Sequence, residues 1–410
     1  MSGKVIYLDN NATTRVAEEV IAEMLPYLTT YYGNASSMHN FGGVLRHKID
    51  QARQSAAQLL HCEPDEIIFT SGGTESDNTA IRGALALDQT KRHIITSRVE
   101  HPAVRSTCRE LQREGYRLTE LGVDRLGRLN LDELDRSISD DTALVSIMYA
   151  NNESGVVFPM EQIAQICQSY GVHLHTDAVQ AAGKLPINLA ETPIDMLSLS
   201  GHKLHAPKGV GALFIRRGTA VAPFMVGGHQ EFGKRAGTEN VPSIIGLGKA
   251  CELTREHLQE ENGLVRALRD KLEEGLLRDC LDAHVNGDRE IRLPNTTNIS
   301  FDYVEGEAIL LLLDRLGICA SSGSACTSGS LEPSHVLRAM GVPFTSVHGS
   351  IRFSLSRYNT AEEIDTVIRE MPGIIRRLRD ISMFKPEQDA TTTAPAERKP
   401  QLWASDKMGG

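Results

Sequence analysis

Met196-Leu197-Ser198-Leu199-Ser200-Gly201-His202-Lys203-Leu204-His205-Ala206-Pro207-Lys208-Gly209-Val210-Gly211 runs from an apolar strand into a loop of small residues that carries a lysine, then into a glycine-rich turn. A lysine amine bonds to a carbonyl cofactor only after losing its proton, and a crowded, partly buried site lowers its pKa. Ser200 and His202 flank Lys203 as candidate phosphate donors. Taken alone, a loop lysine reads more simply as a solvated charge, so the neighbouring segments decide.

Upstream, His175-Thr176-Asp177-Ala178-Val179-Gln180 puts an acid at the carboxyl end of another apolar strand, where open α/β sheets bind ligands. A carboxylate there keeps a pyridine nitrogen protonated and makes the ring an electron sink; Gln180 is placed to donate to a ring oxygen. Earlier still, Thr70-Ser71-Gly72-Gly73-Thr74-Glu75-Ser76 leads from strand through glycines into a helical pattern. Such a helix amino end offers free N–H groups to a phosphate, with Gly73 and Thr74 nearest to it.

Further strand-like runs at 66–70, 93–96, 143–147, 172–175 and 196–199 alternate with helical patterns. That rhythm predicts an α/β protein with a mostly parallel sheet. From Ser243 to Leu277, apolar residues at helical spacing among charges predict one long helix able to bridge two domains. Beyond it, a strand at 297–301, a helix at 307–316, a strand at 351–354 and a helix over 361–381 form a smaller α+β unit. The expected division is a large domain at 15–260, a small one made of 1–14 and 261–384, and a flexible tail at 385–410 that contains Trp403.

A net charge of −10 over 410 residues excludes a phosphate-backbone partner, since nucleic-acid binding needs a basic surface. No apolar run reaches membrane-spanning length, and Met1-Ser2-Gly3-Lys4 runs straight into Val5-Ile6-Tyr7-Leu8, so a cytoplasmic location is expected. The seven cysteines are scattered and form no Cys-x-x-Cys pair, so free thiols are expected, not disulfides or a zinc site. One of them, Cys326, stands in Ala320-Ser321-Ser322-Gly323-Ser324-Ala325-Cys326-Thr327-Ser328-Gly329-Ser330-Leu331-Glu332-Pro333, with almost nothing to pack against. Accessibility there favours it over the other six as a nucleophile.

Two other chemistries compete for these residues. His173, His175 and Asp177 share a strand face and could ligate a metal, though no other ligand spacing supports that. A nicotinamide site lacks its glycine fingerprint, because the first strand is followed by Asp9-Asn10-Asn11-Ala12-Thr13-Thr14.

With Ser-Gly-His-Lys and Ser-Ser-Gly-Ser-Ala-Cys-Thr-Ser together, the chain resembles the NifS/IscS cysteine desulfurases from Tyr7 to about residue 380. These are pyridoxal 5'-phosphate (PLP) enzymes of fold type I, the aspartate aminotransferase-like fold. The resemblance implies that Lys203 holds PLP, Asp177 partners the pyridine nitrogen, Gln180 the ring oxygen, and His101 stacks on the ring. It makes Gly73, Thr74, Ser200 and His202 cofactor ligands, joined by Thr238 from the neighbouring subunit of a homodimer. Asn34, Asn152 and Arg352 match substrate-binding positions, Asn152 also touching the cofactor, and Cys326 matches the nucleophile that takes sulfur from L-cysteine.

The resemblance implies no catalytic metal, though Cys326 could contact an iron-sulfur cluster in passing, and it implies a sulfur-acceptor or scaffold protein as partner. Gly227-Gly228-His229-Gln230-Glu231 and residues 235–240 and 329–335 look more like the nitrogen-fixation branch than the housekeeping one. Ala35 departs from the family, where proline often follows the Gly-Asn pair. A selenocysteine lyase or other PLP β-lyase on the same scaffold remains an alternative, as does a non-enzymatic sulfur carrier.

Overall fold

The computed structural model describes residues 5–88, 90–322 and 333–382. Its main sheet has seven strands, in spatial order Ile67–Thr70, Gly211–Ile215, Met196–Ser200, His173–Asp177, Thr142–Ser146, His93–Ser97 and Arg117–Leu121. Gly211–Ile215 runs antiparallel to both neighbours, and every other pairing is parallel. The chain is thus an α/β protein, as its alternating pattern predicts.

Its central strands are buried along nearly their whole length, which explains why they read as nearly continuous apolar runs. The expected strand at 172–175 lies at His173–Asp177, so its polar end, Asp177, is part of the strand.

A second, antiparallel sheet orders Ser321–Ser322, Ser350–Ser354, Thr296–Phe301 and Ala283–Val285. Ile6–Tyr7 pairs in parallel with Ile318–Cys319, which ties the first residues to this region. The long helix spans Val241–Asp279, two residues beyond the expected range at each end. At 39 residues it is about 58 Å long. Val241, Ile244, Ile245 and Leu247 pack into the apolar cluster of the seven-stranded sheet, whereas Val265, Leu268, Leu272 and Leu276 join the cluster beneath the antiparallel one. One rigid rod therefore fixes the two sheets relative to each other.

Glu231 lies in a short turn at φ +47°, and Phe232 beside it at φ +57°. Its carboxylate takes both guanidinium nitrogens of Arg53, at 2.7 and 2.8 Å, and the N–H of Phe69 at 2.8 Å. Arg53 also lies over the rings of Phe69 and Phe232. Glu231→Ala should cost about 3–5 kcal/mol, because it strands a buried guanidinium. A urea midpoint unchanged from wild type would refute this anchoring role.

Candidate active site

The carboxyl ends of Thr142–Ser146, His173–Asp177 and Met196–Ser200 open into a cavity of about 610 Å³. Gly73, Thr74, His101, Asn152, Asp177, Gln180, Ser200, His202, Lys203 and Arg352, scattered over 280 positions of the sequence, all line it. Asn34 and Thr238 do not reach it within one chain. Both are exposed, and the Asn34 side chain accepts the Ser36 N–H at 2.8 Å. Cys326 lies outside the described residues.

Lys203 ends a single 3-10 turn that follows Met196–Ser200 directly. Its amine donates to the carbonyl oxygens of Asn11 and, at 2.8 Å, Ala12. Asn11 is itself pinned: its N–H donates to Ser354 Oγ at 2.9 Å and its side chain to Thr296 Oγ1 at 2.9 Å. The segment after the first strand, read from sequence only as lacking a nucleotide fingerprint, is therefore the wall against which Lys203 rests.

Burial, followed by the Arg352 guanidinium, pushes the Lys203 amine down to about 8. Since the uncharged amine is the nucleophile, capture of a carbonyl compound by the protein should quicken about tenfold per pH unit up to about pH 8 and level off above. Stopped-flow absorbance with PLP checks this, and a rate still climbing steadily at pH 10 would show an unperturbed lysine.

Asp177 is buried and accepts the Val179 N–H at 2.9 Å. Burial raises its pKa, while His101 and Lys203 counter that shift. His101 caps the helix Pro102–Arg113 by accepting the Ala103 N–H at Nδ1, 3.2 Å. That bond leaves Nε2 to face the cavity, and burial lowers the ring's pKa while Asp177 works against that shift. Gln180 donates to the Asn11 carbonyl at 3.0 Å.

Gly72, at φ +151°, and Gly73 open the helix Gly73–Leu85. A Cβ on Gly73 would meet Val179 Cγ2 at 2.7 Å, and one on Gly211 would meet the Gly72 Cα at 2.7 Å. Bulk is thus excluded where an anion would sit, beside Ser200 and the first N–H groups of a helix. A phosphate-bearing pyridine ring fits this donor set: amine at Lys203, carboxylate at Asp177, and a cradle of N–H groups at Gly73 and Thr74.

On the opposite wall, Arg352 donates to Asp9 at 2.7 Å and to the Asn152 carbonyl at 3.0 Å, and its Nε has no hydrogen-bond partner. A cation so held suits a small carboxylate.

Sequence reasoning missed Asp9, Asp77, Glu100 and Glu153. Glu153 is buried, accepts from Ser334 Oγ at 2.5 Å and is pushed up to about 7 by burial. His335 Nε2 contacts the Glu100 carbonyl at 3.0 Å. Only Asp9 had a sequence signal, its place at a strand end. Of the histidines in the metal alternative, both His175 nitrogens face serine hydroxyls, at 2.8 and 3.0 Å, and half-exposed His173 pairs with Asp195, while Asp177 lies beside Asp77 and His101.

The family model described as aminotransferase class-V matches residues 6–367. A cysteine desulfurase of Trichormus azollae is 59% identical over 384 residues, which cover 94% of this chain and 96% of that protein. The cysteine desulfurase NifS of Azotobacter vinelandii is 57% identical over 380 residues, covering 92% and 94%. A solved NifS-like protein superposes with a TM-score of 0.87 at 39% identity, covering 92% of this chain and all of that one. The chain belongs to the class-V aminotransferase family, of the fold type I architecture, and within it to the NifS-type cysteine desulfurases.

Proposed function

We propose that the cavity binds PLP and L-cysteine, releases L-alanine, and leaves the substrate's sulfur as a persulfide on Cys326. The observation that carries this reading is the convergence of Lys203, Asp177, His101 and Arg352 on one cavity at the strand ends. Lys203, Asp177, the Gly73–Thr74 amides, Ser200 and His202 hold the cofactor, with Gln180 on its ring oxygen.

Bound there, PLP supplies a sink for the electrons released at the substrate's Cα. Arg352 grips the substrate carboxylate and Asn152 borders it. Lys203 Nζ, uncharged above about pH 8, takes and returns the proton at Cα. His101 Nε2–H holds a proton next to the reacting centre.

The Cys326 thiolate attacks the substrate sulfur. The Cβ–S bond breaks, an S–S bond forms, and the carbon fragment takes up a proton and leaves as alanine. One cysteine and one enzyme thiol thus give one alanine and one persulfide, with no external oxidant.

The other thiols fit this assignment badly. Burial pushes Cys62, Cys108, Cys167 and Cys251 up to about 12 and Cys280 up to about 11, and it raises Cys319 as well. None of these is a thiolate at neutral pH.

The role that fits best is sulfur supply for iron-sulfur cluster assembly in nitrogenase maturation, with an acceptor or scaffold protein taking the persulfide. The working unit is a homodimer in which Thr238 of one chain completes the phosphate site of the other. Among the described residues no helix is long and apolar enough to cross a membrane, and the six described cysteines are unpaired, both in keeping with a cytoplasmic enzyme.

Mass spectrometry of the protein after exposure to PLP and sulfur-labelled cysteine tests the assignment. Modification at Lys203 and added sulfur at Cys326, with alanine released, is the expected result. Label on another cysteine, or no alanine, overturns it.

A further inference from the structure

Asp77 is the fifth residue of the helix Gly73–Leu85 and is buried in the lining of the cavity. Its side chain, that of Asp177 and that of His101 bring their polar atoms within 4.8 Å of one another. Its Oδ1 has no hydrogen-bond partner and lies 3.6 Å from His175 Nε2.

The groups around it supply no compensating cation. His175 is pushed down to about 3 by burial and is therefore a neutral ring, held between Ser146 Oγ and Ser198 Oγ. Glu100, in the turn after the strand His93–Ser97, acts on Asp77 too; its carboxyl is engaged by Ser97 Oγ at 2.6 Å and the Met148 N–H at 3.0 Å and is pushed up to about 8 by burial. His101 is tied to its helix cap through Nδ1 and is not among the groups that act on the Asp77 carboxyl. Ser198 alone tempers a shift that burial, Asp177 and Glu100 all drive upward. Two carboxylates this close in a dry site cannot both ionise, so one keeps its proton. Asp177 has the Val179 N–H and faces Lys203, while Asp77 has neither.

We infer that Asp77 is a positioning residue: as a neutral acid it donates its proton toward Asp177, keeping that carboxylate ionised and aimed at the cofactor's ring nitrogen. The idea rests on the reading that the cavity holds PLP. It assigns one helix two duties, a phosphate cradle at its first turn and orientation of the ring's counter-ion one turn later.

Asp77→Ala should retain PLP about ten- to a hundredfold less tightly, because Asp177 then takes up a proton itself, and the loss should deepen as pH falls. Asp77→Asn, whose amide also donates, should restore retention to within about threefold of wild type and flatten that pH dependence. Equilibrium dialysis with visible absorbance reads both. Infrared difference spectra of the cofactor-free proteins at pH 7 should show a carboxylic C=O band in wild type that Asp77→Asn lacks. That band is decisive even if the alanine variant fails to fold.

Absence of the band, an Asn variant no better than Ala, or an Ala variant equal to wild type overturns the role of Asp77. Wild-type protein that takes up no PLP overturns the cofactor reading instead.

Discussion

Lys203→Ala is expected to lower turnover of cysteine by at least about 10⁴-fold and to remove the visible absorbance of lysine-held cofactor. The site has no substitute in place. The other partly buried lysine near it, Lys184, does not line the cavity and bonds instead to the backbone and side-chain oxygens of Gln180, at 3.1 and 3.4 Å. Burial pushes its amine down to about 7, so its reactivity would suffice, but its position does not. The loss should be chemical and not structural, because the Asn11 carbonyl that Lys203 touches keeps the Gln180 amide as a donor. A thermal midpoint close to wild type alongside absent absorbance is the predicted pair of readings. Unchanged absorbance would exclude Lys203, and covalent mapping of the cofactor would then decide whether Lys184 holds it.

Cys326→Ser should leave cofactor uptake intact and reduce alanine formation by at least about 10³-fold, with no sulfur label on the protein. A serine hydroxyl at neutral pH is neither ionised nor able to form the S–S bond. The six described thiols cannot replace it, since burial holds every one of them protonated. Cys319 is the nearest in sequence, and Asp314 and Asp9 raise its pKa further. A variant that still accumulates labelled persulfide and turns over normally removes Cys326 from the scheme. One that loses persulfide yet still cleaves selenocysteine would point to the lyase chemistry of the same scaffold.

Much of this was legible in the chain itself. The apolar runs at 66–70, 143–147 and 196–199 are strands to within a residue or two, because a strand covered on both faces must be apolar on both. The helix Ala361–Ile381 lies where its pattern put it, and its start carries a Thr360–Glu363 capping box. The site residues at the ends of Ile67–Thr70, His173–Asp177 and Met196–Ser200 stood out because an acid, a lysine and a glycine pair there are ill suited to packing and well suited to a ligand.

What the order of residues could not show is which distant groups meet. Asp77 reads as one polar residue in phase with Ala80 and Ile81 on its helix, and only the approach of the strand His173–Asp177 makes it a buried neighbour of Asp177. Asn11 reads as a turn residue, and only the return of Ser354 and Thr296 from the far end of the chain makes it the fixed wall behind Lys203. Local pattern records the burial and backbone preference of each segment, so strands, helices and ligand-bearing loops are written there. Proton positions depend on dielectric surroundings and on charges hundreds of residues away, so the lowered Lys203 amine and the shared proton inferred for Asp77 and Asp177 exist only once the chain has folded.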